Sequence, residues 1–122
     1  MSLQKITQEI VDELERFIFL GHIRGRAGKL KDASEHYTAV FEFRVSNEGK
    51  VRALFGFLDE RKDNYQNTEL IFDKHRIPDL EEDLWHITLV SYAGKPKEQE
   101  LALIGSLYSF KKDLEAYRIR KK

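Results

Sequence analysis

The chain of 122 residues contains no cysteine, only two prolines and one tryptophan, and its charges cancel. Without cysteine there is no disulfide, no cysteine nucleophile and no thiolate metal ligand, a composition that suits the reducing cytoplasm. The 21 basic and 21 acidic residues give a formal net charge of zero. This balance argues against a general nucleic-acid binder or a polybasic membrane-surface protein, because both carry a basic excess.

Long apolar runs are also missing. No run approaches the roughly 18 apolar residues of a membrane span, and acids such as Glu9 and Asp12 interrupt any signal-peptide core. With 41% hydrophobic and 34% charged residues, the composition is that of a folded globular protein. The length predicts a single domain over residues 1–122. We therefore expect one soluble, cytoplasmic domain that does not enter a membrane.

The strongest pattern that is present lies between His36 and Asp59. Apolar and polar residues alternate over 37–45 and again over 51–58, which predicts two strands that each have one apolar face. Asn47 to Gly49 can supply the positive φ angles of a tight turn, so the pattern predicts a β-hairpin. The predicted core consists of large apolar residues on this hairpin and on the elements that cover it: Phe41, Phe43, Phe55, Phe57, Trp85, Ile87, Leu107 and Phe110.

The remaining periodicities predict two more strands and two helices. Residues 3–20 carry apolar side chains at helical spacing, and a second helix begins at Pro96, with Gly105 marking either close packing or a break. Residues 68–75 and 84–92 read as strands. The predicted fold is α+β: a helix, a four-stranded antiparallel sheet in meander order and a C-terminal helix, with both helices on one sheet face.

Between the first helix and the hairpin, residues 21–34 are rich in glycine and basic residues, which predicts a loop. Such a loop can wrap an anion with backbone N–H groups and basic side chains, or it can be a solvated connection. It is not a Walker A loop, because Ile23 stands where the first glycine should be. The anion-binding candidates are Arg24, Arg26, Lys29 and Lys31.

The face of the predicted sheet opposite the helices is mixed in character. Its apolar residues are enough to require a partner, or to line a ligand cavity if the sheet curls. Two copies that pack these faces together would form an isologous homodimer. The interface or cavity candidates are Val40, Leu54, Leu58, Ile71, Val90 and Tyr92.

A short motif occurs twice, as His36-Tyr-Thr38-Ala and as His86-Ile-Thr88-Leu. On a strand, each histidine points to the same side as its threonine. Two such strands side by side would place two imidazoles and two hydroxyls around one phosphate, as a general base and a general acid require. The pair resembles the paired motif of the 2H phosphoesterases, which cleave or join 2′-linked or cyclic phosphates. The resemblance covers only these two motifs, and it implies catalytic roles for His36, Thr38, His86 and Thr88.

The same motifs also have a structural interpretation, because threonine is a good strand former. In a meander the strands of His36 and His86 would not be adjacent, so we expect the two imidazoles to lie more than about 8 Å apart, too far to share a phosphate. His75 stands near Asp73 without a third ligand, so no metal site is predicted. The order of elements is also similar to that of small ribonuclease toxins of the RelE type, which use a basic surface to hold RNA.

These observations favour a binding or protein-interaction module that forms a homodimer, with no catalytic activity and no cofactor expected. The alternative is a small phosphoesterase or ribonuclease that uses the two histidine motifs. Nucleic acid and membranes are not expected as partners. The sequence names neither the ligand nor the protein partner.

Overall fold

The computed structural model describes residues 2–17, 20–29, 36–45, 48–79 and 82–120. Over these residues the four strands form one antiparallel sheet in the order β1-β2-β4-β3, which confirms the predicted α+β class. A short 3₁₀ turn, Lys62–Asn64, precedes β3. The elements in chain order are α1 (Leu3–Glu15), β1 (Leu20–Lys29), β2 (Tyr37–Val45), α2 (Glu48–Asp59), β3 (Thr68–Ile77), β4 (Glu82–Ser91) and α3 (Pro96–Arg120).

The strand order differs from the predicted meander. β1–β2 and β3–β4 are antiparallel hairpins, and β2 pairs with β4 at the centre of the sheet. β4 is apolar on both faces, with Trp85 and Ile87 on one side and Val90 on the other, which suits a central strand. β3 is largely exposed, which suits an edge. Burial of the apolar faces of β4 therefore places it beside β2 and leaves β3 outside.

The predicted second strand of the hairpin, 51–58, is wrong, because these residues belong to helix α2. Val51, Leu54 and Leu58 recur at steps of three and four and are fully buried, as on one side of a helix. Gly56 is exposed and Phe55 is half-buried. Apolar residues in this stretch fit both a period of two and a period of 3.6, and packing under the sheet favours the helical one.

The predicted loop 21–34 is also wrong over its described part, because residues 20–29 form the edge strand β1; residues 30–34 lie outside the described residues. Gly25 sits under α1, where an added Cβ would lie 2.6 Å from Val11 Cγ2. A glycine is therefore needed for α1 to approach the strand. The pairing with β2 is irregular between Gly21 and Arg24, and His22 has a φ of 51°. Glycine, irregular pairing and a positive φ are typical of loops, so the sequence pattern predicted a loop where the structure has a strand.

The three α-helices of the described residues lie on the Phe41 side of the sheet, as predicted for the helices. Phe110 of α3 packs on Phe41, with ring centroids 5.8 Å apart. Phe55 of α2 contacts Trp85 at 5.6 Å and stacks on Phe72 at 4.5 Å. The predicted core residues are buried, except that Phe55 is only half-buried.

The helix ends also differ from the predicted ones. α1 ends at Glu15, not at residue 20. α3 runs without interruption through Gly105, which is exposed and where an added Cβ would meet nothing within 4 Å, so the predicted close packing or break is wrong. A buried carboxylate links the two helices, because Arg118 Nε donates to Glu13 Oε1 at 2.7 Å. No helix in the described ranges combines the length and the apolar character needed to cross a membrane.

Candidate interaction face

The sheet has a second face, which no helix covers within the described residues. We call it the open face and assign its members from the strand register. Along the four strands in spatial order they are Arg24 and Arg26 of β1; Thr38, Val40, Glu42 and Arg44 of β2; Leu84, His86, Thr88 and Val90 of β4; and Glu69, Ile71, Asp73 and His75 of β3.

Two apolar side chains are exposed at this face. Ile71 is 36% exposed, and Tyr92, directly after β4, is 49% exposed. The Tyr92 hydroxyl donates to Glu69 Oε2 at 2.9 Å, which holds the ring at this edge of the face. Val40 and Val90 lie on the same face but are buried. The accessible apolar surface is therefore concentrated along β3 and the end of β4.

A line of charged residues crosses the open face from one edge to the other. The register pairs Arg24 with Glu42, Glu42 with His86, and His86 with Asp73, so these four residues form one row perpendicular to the strands. We call it the charged row. Glu42 Oε1 lies 3.6 Å from His86 Nε2 and 3.7 Å from Arg26 Nη2. The row alternates in sign when His86 is protonated.

Two histidines meet at the β4 and β3 end of this row. The rings of His75 and His86 are edge to face, with centroids 5.0 Å apart, and His75 Nε2 lies 3.2 Å from Asp73 Oδ2. Burial lowers the pKa of His86; the carboxylate of Glu42 opposes this shift, and His75 adds to it. Nδ1 of His86 is buried without a hydrogen-bond partner in the described part of the chain. The sheet therefore favours the neutral form of this imidazole.

The two His-x-Thr motifs of the sequence lie on or next to the adjacent strands β2 and β4, but at different positions along them. Continuation of the β2–β4 register sets His36 level with Tyr92, and their ring centroids are 4.9 Å apart. His86 is level with Glu42, six residues farther along β2, which at the rise of a strand is about 20 Å. Thr38 is fully buried, and its hydroxyl donates to the carbonyl oxygen of His36 at 3.0 Å. This arrangement does not surround one phosphate with both motifs.

The anion-binding candidates are distributed differently from the prediction. Arg24 and Arg26 lie on a strand of the open face, and Lys29 ends the same strand opposite Tyr37. Gly25 points toward α1, so this stretch is not a glycine-rich loop with free N–H groups. Lys31 lies outside the described residues. The two arginines instead form the basic edge of the open face.

Only part of the predicted interface set lies on the open face. Leu54 and Leu58 are on α2 and fully buried in the core, so they do not belong to the open face. Their placement followed from the mistaken strand at 51–58. Val40, Ile71 and Val90 share the open face, with Tyr92 at its end.

A metal site or a binding cleft is less well supported than the open face. Among the described residues, no group of three or more His, Asp or Glu side chains could hold a metal ion. An open cleft of about 470 Å³ near the start of β3 is lined by Lys62, Asp63, Asn67, Glu69 and Tyr92, among others. A neighbouring cleft of about 390 Å³ is lined by uncharged residues that include Asn64, Gln66 and Ser106. No histidine lines either cleft.

Sequence reasoning missed the charged row, although each of its members stands at an alternating position of a strand. The signal that was available is the alternation of Glu69, Ile71, Asp73 and His75, which assigns them to one face of β3. The register across four strands comes only from the tertiary structure. Comparison of the chain with protein-family models, with curated protein sequences and with solved structures gives no match.

Proposed function

We propose that the protein is a cytoplasmic protein-interaction module without catalytic activity, and that it binds a second copy of itself through the open face. The observation that carries this proposal is a four-stranded sheet face that lacks a helix within the described residues and combines exposed Ile71 and Tyr92 with the charged row. The location is supported by the absence of cysteine.

The chemistry of the open face suits a moderate, reversible contact. Non-obligate interfaces are about as apolar as the rest of a protein surface, and they combine aromatic and arginine side chains with a polar rim. Tyr92, Arg24 and Arg26 supply such groups. Because Ile71 and Tyr92 are the only exposed large apolar residues that the described part of the chain contributes to this face, we expect a dimer that dissociates on dilution. Homo-oligomers most often form by such two-fold contacts.

Sedimentation velocity over a range of concentrations tests this proposal. We expect the 14.4 kDa chain to sediment as a dimer at tens of micromolar. Ile71→Lys should weaken the dimer, because it places a cation in the contact. Leu101→Lys is the matched control, since Leu101 is an exposed aliphatic residue on α3. A wild-type chain that stays monomeric, or an equal effect of both variants, would contradict the proposal.

The phosphoesterase alternative has its own assay. We expect no turnover of a 2′,3′-cyclic nucleotide, because about 20 Å of strand separates His36 from His86. The substrate is incubated with the wild-type chain and with His86→Ala, and product is measured by chromatography. Turnover that His86→Ala abolishes would overturn the proposal of a non-catalytic module.

A further inference from the structure

The order of the residues in the charged row allows it to pair with the same row of a second copy. From β1 to β3 it reads Arg24, Glu42, His86, Asp73, that is a cation, a carboxylate, an imidazole that can donate a hydrogen bond in its neutral form, and a carboxylate. Read backwards, the cation at one end meets the carboxylate at the other end, and the carboxylate of Glu42 meets the imidazole of His86, which can donate a hydrogen bond to it. The row is therefore complementary to its own reversal, which is the condition for a charged surface to bind a copy of itself.

The ends of the row do not interact within one chain. Arg24 is on β1 and Asp73 is on β3, at opposite edges of the sheet, with β2 and β4 between them. Three strand spacings separate the two backbones by about 14 Å. Both side chains are at exposed positions. Asp73 lies 3.2 Å from His75 Nε2 and accepts from the backbone N–H of Lys74, but its side chain remains exposed, so both ends of the row can be reached by an opposite charge from another copy.

Stacked sheets with aligned strands can be related by two kinds of two-fold axis. An axis across the strands sets each edge over the same edge of its copy, so that Arg24 and Arg26 meet arginines and Glu69 and Asp73 meet carboxylates. An axis along the strands, between β2 and β4, sets β1 over β3 and β2 over β4. Only the second arrangement reverses the row and brings opposite charges together.

We propose that two copies stack their open faces about a two-fold axis parallel to the strands, so that Arg24 of each copy pairs with Asp73 of the other and Glu42 with His86. This inference rests on the proposed function and adds the orientation of the dimer and the residues that select it. The central pair lies nearest the axis, where the roughly 30° rotation between aligned sheets displaces side chains least. Like charges in the alternative orientation oppose it.

Charge reversal at the two ends of the row tests the orientation. Arg24→Glu sets two carboxylates against each other at both ends of the dimer, and Asp73→Arg sets two cations there. Each variant should raise the dimer Kd about tenfold or more, because like charges in a contact are strongly unfavourable. Circular dichroism and urea unfolding verify that each variant is folded. Lys112→Glu and Glu60→Arg, at exposed positions away from the open face, are the matched controls and should leave the Kd unchanged.

The decisive experiment mixes the two weakened variants. In a mixed dimer, Glu at position 24 of one copy faces Arg at position 73 of the other, and the second end keeps its native Arg24–Asp73 pair. An equimolar mixture should therefore regain the wild-type Kd to within a few-fold. The double variant Arg24→Glu/Asp73→Arg should also form a homodimer, since it restores both pairs. A purely structural role of either residue would not produce this recovery in the mixture.

The outcomes separate the orientation from the proposed function. Recovery in the mixture and in the double variant supports the orientation. A wild-type chain that is monomeric at all concentrations overturns both proposals. A wild-type dimer that tolerates the single reversals overturns only the orientation, and so does a dimer lost in the single variants but not regained on mixing.

Discussion

At the scale of single residues, Gly25 determines how closely α1 approaches the sheet. A methyl group at this position would lie 2.6 Å from Val11 Cγ2 and 3.1 Å from Phe41 Cδ1. Gly25→Ala should lower the free energy of unfolding by about 1–3 kcal/mol, because the packed neighbours must move. Urea unfolding measures this loss. In the Val11→Ala background the substitution should cost less, since the nearest contact is removed, and an unchanged cost would contradict this account.

His86 should make the stability of the fold depend on pH. Its pKa is lowered below the usual 6.5 by burial, despite the neighbouring Glu42. Between the two pKa values the unfolded chain binds more protons than the folded one, so the free energy of unfolding falls as the pH falls below about 6.5. Urea unfolding of dilute protein at about pH 7.5 and 5.5 should show this loss. The other groups that face His86 are Asp73 and His75 of β3.

The matched variant for this pH effect is His86→Gln, which keeps a polar side chain but cannot titrate. Its stability should fall less over the same interval than that of the wild type, because the remaining loss comes from other groups. If both chains lose the same stability, His86 has no lowered pKa in the folded state. If the variant loses more, the shift has the opposite sign.

At the scale of elements, α3 carries a glycine that its packing does not require. Gly105 lies in the helix interior, is exposed, and would place an added Cβ in open space. Gly105→Ala should therefore raise the free energy of unfolding by about 0.5–1 kcal/mol, because alanine loses less conformational entropy in a helix. Urea unfolding measures the gain. Gly56→Ala in α2, which is equally open, should behave alike, and a loss of stability in either variant would show a contact at that position.

At the scale of the whole molecule, the proposed dimer combines a small apolar contact with opposite charges, and salt separates their contributions. Raising NaCl from about 0.05 M to 0.5 M shortens the screening length to a few ångströms. The dimer Kd should therefore rise with salt, as measured by sedimentation velocity. The double variant Arg24→Glu/Asp73→Arg should show the same trend, since its pairs remain opposite in charge. A Kd that falls with salt would indicate an apolar contact and contradict the charge pairing.

The local patterns of the sequence determined a large part of this protein. The α+β class, β2, the approximate positions of β3 and β4, α3, and the burial of Phe41, Phe43, Trp85 and Phe110 follow from periodicity. A helix or strand that buries one face places its apolar residues at its own period, 3.6 or two, so the type of element can be read from their spacing. The sequence motifs did not predict a functional site in the same way, because the two His-x-Thr motifs lie about 20 Å apart along adjacent strands.

Only the tertiary structure decided between patterns that the sequence leaves ambiguous. Residues 51–58 fit two periods, and packing against Phe43, Phe72 and Trp85 selects the helix α2. Gly25 belongs to a strand because α1 must approach it, a contact between elements that no local pattern contains. The charged row depends on the order β1-β2-β4-β3 and on the register across it. Strand order is set by which faces of whole strands must be buried together, so the open face could not be assembled from sequence alone.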